Sequence, residues 1–209
     1  AVDLVLSCQP DVVCLNEILG SIHREKIKER FRRAGYIGFA WGAAERRQKS
    51  LDIGTILITK YKSEPIFFTI PYYDHIGGGG GACALYLPEE NITIIGFHLG
   101  LRRKLRESQL THLARFIKTQ KELNRQVIAM GDCNTSFKDF SKRVLFTELK
   151  LQDVTLKSFP NNWLKIIPSI EKKLDHILVD EVYNITDKKT LSGKSDHLLL
   201  YCQVAKKPI

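Results

Sequence analysis

No apolar run in this 209-residue chain approaches the length that crosses a bilayer, and no secretory leader opens it. The expectation is a cytoplasmic protein without a membrane span. Paired cysteine spacing is missing as well. Cys8, Cys14, Cys83, Cys133 and Cys202 are odd in number, form no Cys-x-x-Cys pair and mostly lie in apolar segments. That pattern fits reduced, buried thiols in a cytosolic protein better than disulfides or a zinc site. The glycine run 77–81 is not followed by Gly-Lys-Ser/Thr, so it is no phosphate-cradling P-loop and reads as a hairpin connection. Acidic residues are the scarcer charge, 23 against 32 Lys and Arg, for a net +9 and a pI near 9.3. A surface of that sign favours polyanionic partners, nucleic acid first among them. Neither repeats nor a linker divide the chain, and its length suits one core, so residues 1–209 read as a single domain with no obligate protein partner.

Against these absences stands one informative stretch. Residues 127–130, Val-Ile-Ala-Met, make a short β-compatible run that Gly131 breaks, with Asp132 and Asn134 just beyond. Chemistry in α/β proteins is usually placed past the carboxyl end of a strand. Asp132 offers a carboxylate that can hold or deprotonate a water, and Asn134 an amide that can donate to an anionic oxygen. Asp and Asn after Gly are also ordinary turn formers, so the motif needs company.

The rest of the chain supplies it. Residues 1–8 read as the last turns of a helix, stopped by Gln9-Pro10-Asp11. Strand 12–15 ends in Asn16 and Glu17. Helix 21–34 follows, with Ser21 as N-cap and Gly35 as its stop. Strands are expected over 36–41, 54–58 and 66–70, separated by a basic connection, 44–50, that includes Arg46 and Arg47. Residues 82–87 and 92–99 form an antiparallel pair around the turn 88–91, and the second closes on His98. An amphipathic helix covers 101–121, with Arg102 and Arg103 at its start. A helix over 141–149 leads to a long connection, 157–173. Strand 174–179 carries Asp175 and His176 near its start. A turn-rich piece then precedes Ser195-Asp196-His197 and the last strand, 198–204. Polar groups thus recur at strand ends: Glu17, His98, Asp132 with Asn134, Asp175, and Asp196 with His197.

In that order, the motifs resemble those of the endonuclease/exonuclease/phosphatase superfamily, the DNase I-like fold, across nearly the whole chain. Residues 9–17, Gln-Pro-Asp-Val-Val-Cys-Leu-Asn-Glu, resemble its metal-ligand strand, with Asn16 where Gln is commonest. Residues 54–60 resemble its Gly-x-x-Ile-Leu-Ser-Lys/Arg strand, Phe97-His98-Leu99 its Thr-His-Leu, and Gly131-Asp132-Cys133-Asn134 its Gly-Asp-Phe-Asn. Leu174-Asp175-His176-Ile177-Leu178 and Ser195-Asp196-His197 resemble the last two motifs. The family's opening strand, which carries a metal-site Asn, has no counterpart here, as if the sequence began inside the following helix.

The resemblance implies an α/β, four-layer sandwich: two mixed β-sheets packed face to face, helices outside, and a site at one edge. It implies a metal-dependent phosphodiester hydrolase, a nuclease acting on DNA or RNA by in-line attack of an activated water. Glu17 would ligate Mg²⁺ or Mn²⁺, with Asp196 sharing that metal or a second position. Asp132 would deprotonate the water, and Asn134 would hold it or the phosphoryl group. His197, paired with Asp175, would bind a non-bridging oxygen, and His98 would contact the phosphate or the leaving oxygen. Arg102 and Arg103 are expected to bind substrate. His at position 98, where the abasic-site nucleases commonly carry Tyr, lowers that specificity. The alternatives are a phosphatase or phosphodiesterase of lipid headgroups or small phosphoesters, and a catalytically silent binding module.

Overall fold

The structure, a computed structural model, describes residues 1–43, 53–71, 81–135, 147–160 and 172–208. In chain order the elements are α1 (Val2–Ser7), β1 (Val12–Leu19), α2 (Gly20–Arg33), β2 (Gly38–Ala43), β3 (Ile53–Thr59), β4 (Glu64–Ile66), β5 (Ala82–Leu87), β6 (Ile92–His98), α3 (Arg103–Glu122), β7 (Gln126–Asp132), β8 (Leu151–Asp153), β9 (Asp175–Asp180), β10 (Tyr183–Leu191) and β11 (Leu199–Lys206).

Six strands make the larger sheet, in the order β4-β5-β6-β7-β9-β8. It is mixed, because β6 and β7 run parallel and their neighbours antiparallel. The parallel pair is possible because α3 supplies the long crossover that parallel strands require. Opposite lie two smaller antiparallel sheets, β1-β3-β2 and β10-β11.

Alternation along the strands sorts side chains into layers. Phe97, Val127, Ala129 and Leu178 face α3, where Leu110, Leu113 and Ile117 repeat at helical spacing and bury against them. The other face of the large sheet packs Cys83, Leu85 and Ile94 against Leu57, and Ile177 and Val179 against Leu200, Cys202 and Val204 of β11. Outside the three-stranded sheet, Val5, Phe31 and Tyr36 cover Ile56 and Ile58. The result is α3, the large sheet, the two small sheets, then α1 and α2: an α/β sandwich. Only the large sheet is mixed among the described residues.

Several local expectations are corrected. β1 does not stop at Leu15. It continues to Leu19 through an irregularity between Leu15 and Ile18, where Glu17 sits at φ +57°. A bulge of this kind re-aims one side chain without ending the strand. Ser21 is not the cap of α2: the strand runs straight into the helix, Leu19 takes the cap position, and no side chain bonds there. The strand expected over 66–70 lies instead at β4, Glu64–Ile66; beyond it Phe67 turns to solvent while Phe68 and Ile70 plug the core from a non-strand path. The turn-rich piece contains the nine-residue β10, whose mostly polar face is exposed and was silent as a pattern. The three-residue β8 precedes the long connection 157–173, in a stretch for which no strand is expected. The basic connection 44–50, glycines 77–80 and most of helix 141–149 lie outside the described residues.

Gly131 is the penultimate residue of β7 rather than its break. A Cβ there would stand 1.8 Å from the Phe97 carbonyl oxygen, main chain of the paired strand. Gly131→Ala is therefore expected to cost about 3 kcal/mol of stability. A denaturant midpoint unchanged from the parent would refute this.

Candidate active site

The polar side chains gather between the large sheet and the smaller ones, where β6 and β7 end. His98 closes β6 and Asp132 closes β7, and parallel register pairs them directly. Asp175 opens β9 opposite Asp132 in the antiparallel ladder. From the facing layer, the irregularity in β1 brings Glu17, and the segment before β11 brings His197.

The distances are short. His197 Nδ1 lies 2.8 Å from Asp175 Oδ2, and its Nε2 lies 4.0 Å from Asp132 Oδ2. His98 Nε2 is 3.6 Å from Asp132 Oδ2 and 3.9 Å from Glu17 Oε1. Asp132, Asp175 and His197 each offer a ligand atom within 4.8 Å of the others. Asp196 lies outside that group. It is exposed, accepts a hydrogen bond from the Ser195 hydroxyl, and reaches the site through its charge on His197.

Asn134 adopts a left-handed conformation, φ +50°, tolerable for Asn. Its backbone N–H donates to Asp132 Oδ1 at 2.6 Å. Its side-chain amide donates to the Leu99 carbonyl at 2.7 Å and faces His98 Nε2 at 3.3 Å. Both amide hydrogens are thus engaged within the protein. The group left for a ligand is the acceptor Oδ1, which suits a water hydrogen and not an anionic oxygen.

Environment separates the titrations. Burial raises Asp132 to about 7; the Asp175 and Glu17 charges add to this, while the Asn134 N–H and His197 oppose it. Burial would lower His197, but the Asp175 hydrogen bond and the Asp175, Asp132 and Asp196 charges outweigh it and bring it up to about 9. Burial pushes His98 down to about 4, with Asp175 opposing and His197 adding. Near neutral pH the site holds a poised carboxylate, an imidazolium and a neutral imidazole. Since the Asn134 amide faces Nε2 of His98 as a donor, Nδ1 of that ring carries the hydrogen, buried without a partner among the described residues. An orphan of that kind costs on the order of 1–3 kcal/mol and is tolerated mainly where function requires it.

The donor chemistry fits a hard divalent cation. Burial, with the Asp175 and Glu17 charges adding to it, holds a proton on Asp132 near neutrality, and a cation among these carboxylates would relieve both.

The two arginines expected to bind substrate stand at the start of α3. Arg103 pairs along the helix surface with Glu107 at 2.9 Å, and Arg102 occupies the N-cap position of α3. Arg106 is half-buried and donates to the Leu101 carbonyl; burial pulls its guanidinium down, and the Asp132 charge opposes this. Gln109, one turn on, braces the segment behind His98 by accepting from the Gly100 N–H and donating to the Pro71 carbonyl, both at 2.8 Å. Ser158 went unread in the sequence. Its buried hydroxyl accepts from the Leu174 and Asp175 amides, and its carbonyl accepts from Leu198, so it ties together both strands that carry the His197–Asp175 pair. A lone Ser in a long connection gives no signal, because its partners are backbone groups.

The profile of the Endonuclease/Exonuclease/phosphatase family matches residues 1–197. By sequence, no curated protein matches the chain. Among solved structures, the catalytic domain of human Nocturnin, determined with a bound sulfate anion, has TM-score 0.69 at 18% identity, over 99% of this chain and 85% of that one. The 3′ phosphatase NExo from Neisseria, bound to a product DNA hairpin, has TM-score 0.70 at 16% identity, over 98% of this chain and 93% of that one. A conserved protein of unknown function from Enterococcus faecalis V583 has TM-score 0.70 at 16% identity, over 99% and 89%. At these identities the likeness is one of fold.

Proposed function

As the chain belongs to the endonuclease/exonuclease/phosphatase family, whose members hydrolyse phosphoesters, we propose that it is a divalent-metal-dependent phosphodiesterase acting on nucleic acid. The observation that carries this reading is the convergence of Asp132, Asn134, Asp175, His197, His98 and Glu17 between the sheets. The net +9 charge and the DNA hairpin bound by the NExo neighbour favour a polyanionic substrate. We take residues 1–209 as one domain. The free thiols at all five cysteines support a reducing compartment, the cytoplasm, and no helix among the described residues is long and apolar enough to cross a membrane.

Glu17 would hold Mg²⁺ or Mn²⁺, which leaves Asp132 Oδ2 to the water, and we assign Asp196 to His197 in preference to the cation. When bound, such a cation neutralises charge on the phosphoryl group. A phosphodiester repels nucleophiles, so the remaining work is alignment and proton transfer. Asp132 accepts the proton of the attacking water through Oδ2, since Oδ1 is occupied by Asn134. Asn134 Oδ1 accepts the water's other hydrogen and so aims its lone pair. His197, kept charged by Asp175, donates from Nε2 to a non-bridging oxygen. Neutral His98 stands beside Asp132 and accepts from the Asn134 amide, which keeps Asn134 facing the water. Arg102, Arg103 and Arg106 supply cations along the approach past His98.

The test is hydrolysis of single-stranded DNA, duplex DNA, RNA and bis-p-nitrophenyl phosphate with Mg²⁺ or Mn²⁺, at rising salt. The expected result is cleavage of one polymer, with apparent affinity falling about tenfold or more between 50 and 200 mM salt. Turnover of the small ester alone, insensitive to salt, would replace this reading with a small-ester phosphatase. No turnover with either metal would favour a binding module.

A further inference from the structure

β9 carries two polar residues in succession, and strand alternation sends them to opposite faces. Asp175 faces the site. His176 shares the face of Leu178, toward α3, and is buried with 2% of its surface exposed. The reaction outlined above makes no use of it. Its ring nonetheless has defined partners. Nε2 lies 3.1 Å from the Thr135 carbonyl oxygen, an acceptor, so Nε2 carries the hydrogen and donates it. Nδ1 lies 3.1 Å from Asp153 Oδ2 and 2.6 Å from the Thr155 hydroxyl. Asp153 is itself pinned, accepting from the Thr155 N–H at 3.0 Å and contacting the Thr155 hydroxyl.

Thr135 follows Asn134, and the turn 132–135 requires holding. Asn134 sits at positive φ, its N–H occupies one Asp132 oxygen at 2.6 Å, and only the other oxygen is left to meet a water. A non-glycine residue in that region persists where the surroundings over-determine it. The Asn134 side chain anchors the turn from the β6 side through the Leu99 carbonyl, and His176 anchors it from the β9 side through the Thr135 carbonyl.

We propose that Asp153, Thr155 and His176 form a positioning device for the proposed hydrolytic site: they clamp the carbonyl beyond Asn134 and thereby set the aim of Asp132 and Asn134. The inference rests on the hydrolase reading for its effect on turnover, and on the clamp alone for its effect on the loop. His176 and Asp153 are positioning residues, since neither touches substrate. Misplacing a reacting group by about 1 Å costs up to about a hundredfold in rate.

The experiment compares the full chain with His176→Leu, His176→Gln and Asp153→Asn. Three quantities are read: kcat and KM on the substrate cleaved in the panel above, amide exchange at Cys133 and Asn134, and thermal midpoint. His176→Leu is expected to lower kcat about tenfold to a hundredfold with KM within about twofold. Exchange at the Asn134 amide should accelerate by about tenfold, while the β6–β7 ladder keeps its protection. Asp153→Asn should follow in the same direction with a smaller loss. His176→Gln, whose amide can still donate to Thr135, should recover most of both effects. Parent-like exchange and kcat in His176→Leu would overturn the proposal. So would a Gln variant no better than Leu, or losses that only track the folded fraction. If the parent hydrolyses nothing, the hydrolase reading has failed, and the exchange rates at Cys133 and Asn134 alone decide whether the clamp exists.

Discussion

Asp132→Asn will leave a folded protein that no longer turns over, with kcat lowered about a thousandfold. The substitution is nearly isosteric, and the Asn oxygen can still accept the Asn134 N–H that Asp132 Oδ1 accepts now. What disappears is the group able to take a proton. Burial and the charges of Asp175 and Glu17 bring Asp132 to about 7, close to where a general base works at neutral pH. The same shift gives the variant a second signature. A carboxyl raised in the folded state contributes stability below its ordinary pKa and loses it as pH rises through about 7. Asn has no such loss, so the metal-stripped variant should melt at or above the parent's temperature at pH 8. Single-turnover kinetics and a thermal scan on one preparation read both effects. Parent-like kcat in the variant would remove Asp132 from the reaction.

Chelation of divalent ions will abolish hydrolysis, and Mg²⁺ or Mn²⁺ will restore it together with a pH-dependent gain in stability. Asp132 and His197 are both raised, so the folded protein binds more protons than the unfolded chain. The Asp132 contribution is complete below the usual carboxyl range and fades through about 7. The His197 contribution is complete below the usual imidazole range and fades through about 9. His98, lowered to about 4, opposes Asp132 between that value and the usual imidazole range, so stripped protein should lose stability mainly from near-neutral to alkaline pH. A cation competes with the proton on Asp132, so it should stabilise little at pH 5 and clearly at pH 8. At a hundredfold excess over its Kd the gain is about 2.7 kcal/mol, or roughly 5–10 °C for a chain of this size. Calorimetry at the two pH values with and without each ion is the measurement. A melting temperature indifferent to metal at pH 8, with turnover that survives chelation, would exclude a cation from this site.

Much of this architecture is legible as a string. β-Branched runs at 92–95 and 127–128 are short, apolar and bounded, and they are the central strands. The 3.6-residue repeat from Leu105 to Ile117 is the helix that covers them. Where the pattern is weak the reading falters for a stated cause. β10 is polar along one face because that face meets solvent, and β8 is too short to show a period. The left-handed Glu17 interrupts β1 without ending it, and a polar pair after an apolar run reads the same whether the strand stops or kinks.

The identities and order of Glu17, His98, Asp132, Asn134, Asp175 and His197 were determined by the sequence, because strand ends and turn residues are local properties. The sequence also determined the family, since the spacing of those motifs survives without any contact being known. Which groups are free to act was decided only by the tertiary structure. Asn134 spends both amide hydrogens on Leu99 and His98, and His176 reaches from β9 to hold Thr135. Every one of those partners is chosen by packing. The proton affinities of Asp132, His197 and His98 come chiefly from burial and from charges on other strands. Neither burial nor a cross-strand neighbour is a property of position along the chain, so both had to wait for the fold.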